Sequence, residues 1–132
     1  MVKRTSIEDL VGLELSSVCF VRNYVEFHFD GPILRSLAPP TIELDGHVAA
    51  FPGAGSRDAL CELIGRVVDK AEDLPDRLTL GFTGSAQLTI SKTSEDAGAE
   101  IAHLVPAFAG KVDVASMATW ENRIPTRRHP GG

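Results

Sequence analysis

The sequence predicts an α+β domain dominated by antiparallel sheet, and three observations carry that expectation. The clearest run of period-two alternation, residues 18–37, places Val25, Phe27 and Phe29 on one side of an extended segment and Tyr24, Glu26, His28 and Asp30 on the other. That is how a strand with one buried face reads. Only one stretch, from Arg57 to about Val68, reads as a convincing helix, with Leu60, Leu63, Ile64 and Val67 as its apolar stripe. Finally, the two halves of the chain echo each other. Ile7, Leu10, Val11 and Gly12 match Leu60, Leu63, Ile64 and Gly65, and Val25, Phe27, Phe29 and Gly31 match Leu78, Leu80, Phe82 and Gly84. Every pair lies 53 positions apart (65 minus 12, 84 minus 31). The agreeing positions are a helix stop, a buried strand face and a turn glycine, each with a structural reason. The expectation is a mostly antiparallel twisted sheet from two tandem helix-plus-strand-meander units, 7–37 and 60–90, around a main central helix at about 57–68. These units lie within one domain, 1–122, followed by a flexible basic tail, 123–132.

Taken in order, Thr5-Ser6-Ile7-Glu8 has the form of a capping box, and Gly12 is placed to end the short helix it opens. Residues 13–21 are extended and Asn23 offers a turn. Asp30-Gly31-Pro32 then leads into a second apolar run, 33–37, which Pro39-Pro40 breaks. Asp45-Gly46 is a two-residue hairpin signal of the primed type, because both positions tolerate positive φ. Pro52-Gly53-Ala54-Gly55 is a loop and Ser56 a good cap for the main helix. Residues 72–76 read as a polar connector, while 77–82 and 86–91 read as a second hairpin. Residues 92–99 form a charged loop, 100–105 an apolar stretch of no decided type, and 107–111 another loop. Residues 111–120 alternate weakly as a closing strand, with Trp120 an anchor at the core edge.

A chain of 132 residues, 43% hydrophobic and 23% charged, fits one globular domain. Its net charge of -5 argues against nucleic acid as a partner, since phosphate binding needs clustered Lys and Arg. The one basic cluster, Arg123, Arg127 and Arg128, sits among Pro and Gly and reads as a solvated tail. No apolar run reaches membrane-spanning length and the opening residues do not form a signal core, so a cytoplasmic location is expected and no membrane partner. Cys19 and Cys61 read as reduced, packed thiols.

The most suggestive polar set is Arg22, Tyr24, Glu26, His28 and Asp30. A histidine flanked two positions either side by carboxylates suits a general base with an orienting partner, or a metal ligand. Alternating mixed charge is equally how a solvated sheet face is made. His28, His47, His103 and His129 follow no metal-ligand spacing, so no metal, cofactor or catalytic residue is assigned. Gly53, Gly55 and Ser56 form a glycine-rich entry to a helix, where free amides can hold an anion. The lysine of a phosphate loop and the third glycine of a dinucleotide site are both missing.

The Leu10-Val11-Gly12 opening, the strand Tyr24-Val-Glu-Phe-His-Phe-Asp-Gly31, Leu63-Ile-Gly65 and Leu78-Thr-Leu-Gly-Phe-Thr-Gly84 together resemble a group of small uncharacterised bacterial α+β proteins, a family of unknown function. In these, an L-x-G, strand, F-x-G pattern appears twice around a central helix. The resemblance covers most of residues 7–91 and implies no catalytic residues. Some such domains look like immunity-type proteins that neutralise a toxin partner. The function expected is non-catalytic binding of another protein or of a second copy of the chain. The alternative is a small-molecule or anion site, or a modest enzyme, using the His28 face or the Gly53–Ser56 loop.

Overall fold

The computed structural model describes residues 4–108 and 111–124. Its first meander comprises β1 (Leu15–Val21), β2 (Tyr24–Phe29) and β3 (Ile33–Ser36). Strand β2 alternates buried and half-buried as its sequence demands, with Val25, Phe27 and Phe29 inward. Gly31 makes the following turn at φ +117°, and a Cβ there would stand 3.0 Å from that of Ala107. A hairpin follows, β4 (Thr41–Leu44) and β5 (His47–Ala50). Its Asp45 and Gly46 both take positive φ, 50° and 84°, as a primed turn requires. After the helix α1 (Ser56–Cys61) comes a second meander, β6 (Val68–Asp73), β7 (Arg77–Phe82) and β8 (Ala86–Ser91). The chain ends with β9 (Glu100–Val105), a two-stranded hairpin of β10 (Ala107–Phe108) and β11 (Lys111–Val112), and β12 (Ala118–Glu121). Single 3-10 turns span Ile7–Leu10 and Val114–Ser116.

These strands make two five-stranded antiparallel sheets, in the orders β1-β2-β3-β9-β12 and β5-β4-β8-β7-β6. The connectivity is reciprocal: the β4–β5 hairpin leaves the first meander to extend the second on β8, and β9 and β12 leave the second to extend the first on β3. The sheets are stitched where β1 meets β6. There Gly12 N–H donates to Val68 O and Gly65 N–H to Leu15 O, both at 2.8 Å. Leu15 N–H donates to Arg66 O and Val68 N–H to Leu13 O, both at 2.9 Å, with Glu14 bridged to Val67 between them. The pairing slips at matching places, between Leu15 and Ser17 and between Val68 and Lys70. The core lies between the sheets. Leu10, Leu15, Phe27, Phe29 and Leu34 from one half and Leu63, Val68, Leu80, Phe82 and Leu88 from the other are buried, each contributing about 1.5–3 kcal/mol by leaving water.

Several expectations are corrected. The main helix is only Ser56–Cys61, not 57–68. From Leu63 the amides reach back three residues, to Leu60, Cys61 and Leu63 itself from Arg66, and Gly65 at φ +90° ends the coil. Val11 and Ile64, expected in the apolar stripes, are exposed, because turns this tight present one face, not two. Ser56 lies inside the helix and Gly55 is its N-cap. The capping box at the chain start sits one residue later, on Ser6 and Asp9. Residues 72–76, read as a connector, begin within β6, and the loop at 107–111 contains a hairpin. Cys19 and Cys61 are free and exposed, not packed. Arg123 N–H donates to Lys92 O, so the first residue of the expected tail is held, while 125–132, with Arg127 and Arg128, lie outside the described residues.

Candidate functional site

The outward side of the first sheet carries one row of side chains in register across all five strands: Cys19, Glu26, Arg35, His103 and Thr119. Directly opposed residues in antiparallel strands have Cβ atoms about 4.5–5.5 Å apart, so polar side chains in the row meet. Arg35 Nε donates to Glu26 Oε2 at 2.9 Å, and His28 Nε2 lies 3.2 Å from Glu26 Oε1. On the other side, Arg35 Nη1 lies 3.1 Å from His103 Nδ1, and His103 Nε2 lies 2.7 Å from Glu100 Oε1. The result is an unbroken chain, His28–Glu26–Arg35–His103–Glu100, over β2, β3 and β9. The Arg35 guanidinium also sits 5.9 Å from the centre of the Tyr24 ring, within cation–π range.

The bonding fixes protons. Arginine only donates, so His103 Nδ1 accepts and its Nε2 carries the hydrogen given to Glu100. The middle of the chain is sheltered, with Glu26 and His103 side chains 15% and 12% exposed, while its ends, His28 and Glu100, are 34% and 44% exposed. Burial pushes the Glu26 carboxyl up, but the hydrogen bonds from Arg35 and His28 and their charge outweigh it and hold the carboxyl below its ordinary value.

Of the residues singled out from sequence, Tyr24, Glu26 and His28 thus join one network, and Arg22 does not. Arg22 stands exposed in the β1–β2 turn at φ +46°, its side chain without a hydrogen bond or ion pair among the described residues. Gly53, Gly55 and Ser56 lie apart from it. Gly53 N–H donates to Ala50 O at 2.7 Å, and both the amide and the hydroxyl of the buried Ser56 donate to Gly53 O, at 3.1 and 2.7 Å. Two amides of that loop are therefore already bonded inside it. Beside it, Arg57 lies 5.8 and 5.2 Å from the stacked rings of Phe20 and Phe51.

Sequence reasoning missed Arg35, His103 and Glu100. Arg35 was within reach: the tight turn after Phe29 sets the β2–β3 register, which faces Glu26 with Arg35. His103 gave no such signal, since β9 joins β3 from 68 positions away along the pair Arg35–His103 (103 minus 35) and nothing local announces that pairing.

At the far edge, buried Lys92 pairs with Asp73, whose other oxygen accepts from Trp120 Nε1 at 2.9 Å. Burial raises the Asp73 carboxyl, and hydrogen bonds from Lys92 and Trp120, with the charges of Lys92 and Arg123, bring it below its ordinary value. Open grooves of about 700 and 720 Å³ flank Trp120, the first including Arg4, Asp73 and Met117, the second Lys92, Glu100 and Arg123. No group of three His, Cys, Asp or Glu is placed to hold a metal ion among the described residues. No helix among them is long and apolar enough to cross a membrane. No family model, curated protein or solved structure matches the chain.

Proposed function

We propose that this chain is a small non-catalytic binding domain that docks another protein on the outward side of its first sheet. The observation that carries this reading is the His28–Glu26–Arg35–His103–Glu100 chain, which presents charged groups at fixed positions on a sheet surface. Side chains already held by neighbours lose little freedom on docking, and Tyr and Arg are residues that anchor interfaces. With a net charge of -5, the partner is a protein with a basic face. An immunity-type role, with a toxin as that partner, is one form of the same activity. A cytoplasmic location agrees with two free cysteines. The small-molecule or anion alternative at Gly53, Gly55 and Ser56 has less support, because the Gly53 and Ser56 amides are engaged inside the loop.

The architecture is read as two tandem units sharing one plan. Support comes from the stitch at β1 and β6, where bonds from Gly12 and Leu15 recur at Gly65 and Val68, 53 positions on (65 minus 12, 68 minus 15).

The test is affinity capture with mass spectrometry using the wild-type chain, a Tyr24→Ala variant and an Arg35→Ala variant. The captured protein is expected to be basic and to be lost from both variants while each remains folded by circular dichroism. A chain that captures no protein, yet gains thermal stability from a metabolite, would overturn the reading.

A further inference from the structure

Strand β5 ends the second sheet and has only β4 beside it among the described residues. In a two-residue hairpin the residues flanking the turn exchange both backbone bonds, so Leu44–His47 and Ile42–Ala49 are the bonded pairs. Phe51 N–H continues the series by donating to Pro40 O at 3.0 Å. The alternate residues, Val48 and Ala50, therefore aim their amides away from the sheet. Ala50 O is taken by Gly53 N–H, which leaves Val48 N–H, Val48 C=O and Ala50 N–H facing outward. The Val48 side chain is 65% exposed.

Sheet edges are normally guarded by a charge, a proline or a bulge. His47-Val48-Ala49-Ala50 has none of these: it contains no Asp, Glu, Lys or Arg, no proline, and an even register with β4. Of the other outer strands, β1 and β6 are tied to each other by the stitch, and β12 is guarded by Glu121 and by the bond from Trp120 to Asp73.

We infer that β5 is a self-pairing edge that joins two copies of this chain, with Val48 opposite Val48 on a two-fold axis. Only a residue whose N–H and C=O both point outward can exchange two bonds with its own copy, and Val48 is that residue in β5. The arrangement is isologous, sets the two exposed valines side by side and points each Ala50 N–H at the partner strand. Charge permits it in an acidic chain. Glu43, directly behind Val48 on β4, would stand three strand spacings from its copy, about 14 Å, beyond the screening length of about 8 Å at physiological salt. A four-residue pairing buries much less than the roughly 1,200 Å² of a standard interface, so the dimer is weak and concentration-dependent. This surface is separate from the outward side of the first sheet, and either proposal can fail alone.

Sedimentation equilibrium on the wild-type chain is expected to show the average mass rising from one chain toward two between about 10 µM and about 1 mM. Over the same series, amide NMR shifts should move at Val48 and Ala50. Val48→Pro removes the outward N–H without touching a bond to β4, and Val48→Lys adds a guarding charge; each is expected to stay monomeric with the wild-type circular dichroism spectrum. A mass fixed at one chain throughout would overturn the inference. So would a dimer that survives in a folded Val48→Lys, or shifts that cluster at Tyr24, Arg35 and His103 in place of the β5 edge.

Discussion

The two sheets carry the same row of cross-strand positions on the side away from the shared core, with different chemistry. In the first sheet the row reads Cys19, Glu26, Arg35, His103, Thr119; in the second, Glu72, Thr79, Thr89, Thr41, Ala50. The central three positions are an acid, a guanidinium and an imidazole on one side, and three threonines on the other. Inward positions behave otherwise. Leu10 and Leu63, Phe27 and Leu80, and Phe29 and Phe82 are all apolar and buried. Packing therefore constrains the inward side in both halves, while the outward side is free to differ. Threonine suits a pleated surface through its β-branch alone; the Glu–Arg–His row is not needed to make a sheet, and that is why it is taken as the functional surface.

The largest expected effect tests the shared part. Leu10→Ala and Leu63→Ala, both at fully buried sites, should each cost about 2–5 kcal/mol by urea denaturation. A large difference between the two would break the equivalence of the halves. Next comes the part that differs. Arg35→Ala strips partners from two sheltered groups, Glu26 and His103, and should cost about 1–3 kcal/mol, whereas Thr89→Ala at the corresponding place should stay within about 0.5 kcal/mol. Equal costs would mean that the polar row is ordinary sheet surface. Gly12→Ala and Gly65→Ala meet no atom within 4 Å but sit at φ +91° and +90°. Each should lose about 1–2 kcal/mol from backbone strain, by equal amounts if the stitch is symmetric.

The smallest effect is one of pH. Glu26 is held below its ordinary value of 4.5 and Asp73 below 3.8. A carboxyl depressed in the folded state binds its proton less readily there than when unfolded. Its contribution is therefore complete above the ordinary value and disappears as pH falls through the folded one. Denaturation midpoints should fall as pH drops below about 4. Glu26→Gln should flatten part of that fall, and an unchanged slope would show that the Arg35 bond does not stabilise the charged form.

The strands whose signals are local were legible in the sequence: the Asp45-Gly46 turn, the Arg77–Phe82 and Ala86–Ser91 hairpin, and the alternation of Tyr24–Phe29 all appear where expected. Strand β6 was missed because its first residue was read into the helix and Glu72 and Asp73 into a polar connector, its place being set by the stitch to residues 12–15. The helix was over-read because Ile64 and Val67 continue an apolar spacing that Gly65 interrupts. At the site, half the network was visible as outward residues of one strand, and the other half arrives through a pairing of distant segments.

The exchange of strands between meanders dictates an order of events during synthesis. When Ser36 has emerged from the ribosome, the first sheet has only three of its strands, and the flank of β3 stays open until Glu100–Val105 is made. Pairings so distant in sequence close slowly. The nascent N-terminal half is thus the stage at which this chain is exposed to aggregation and to chaperones.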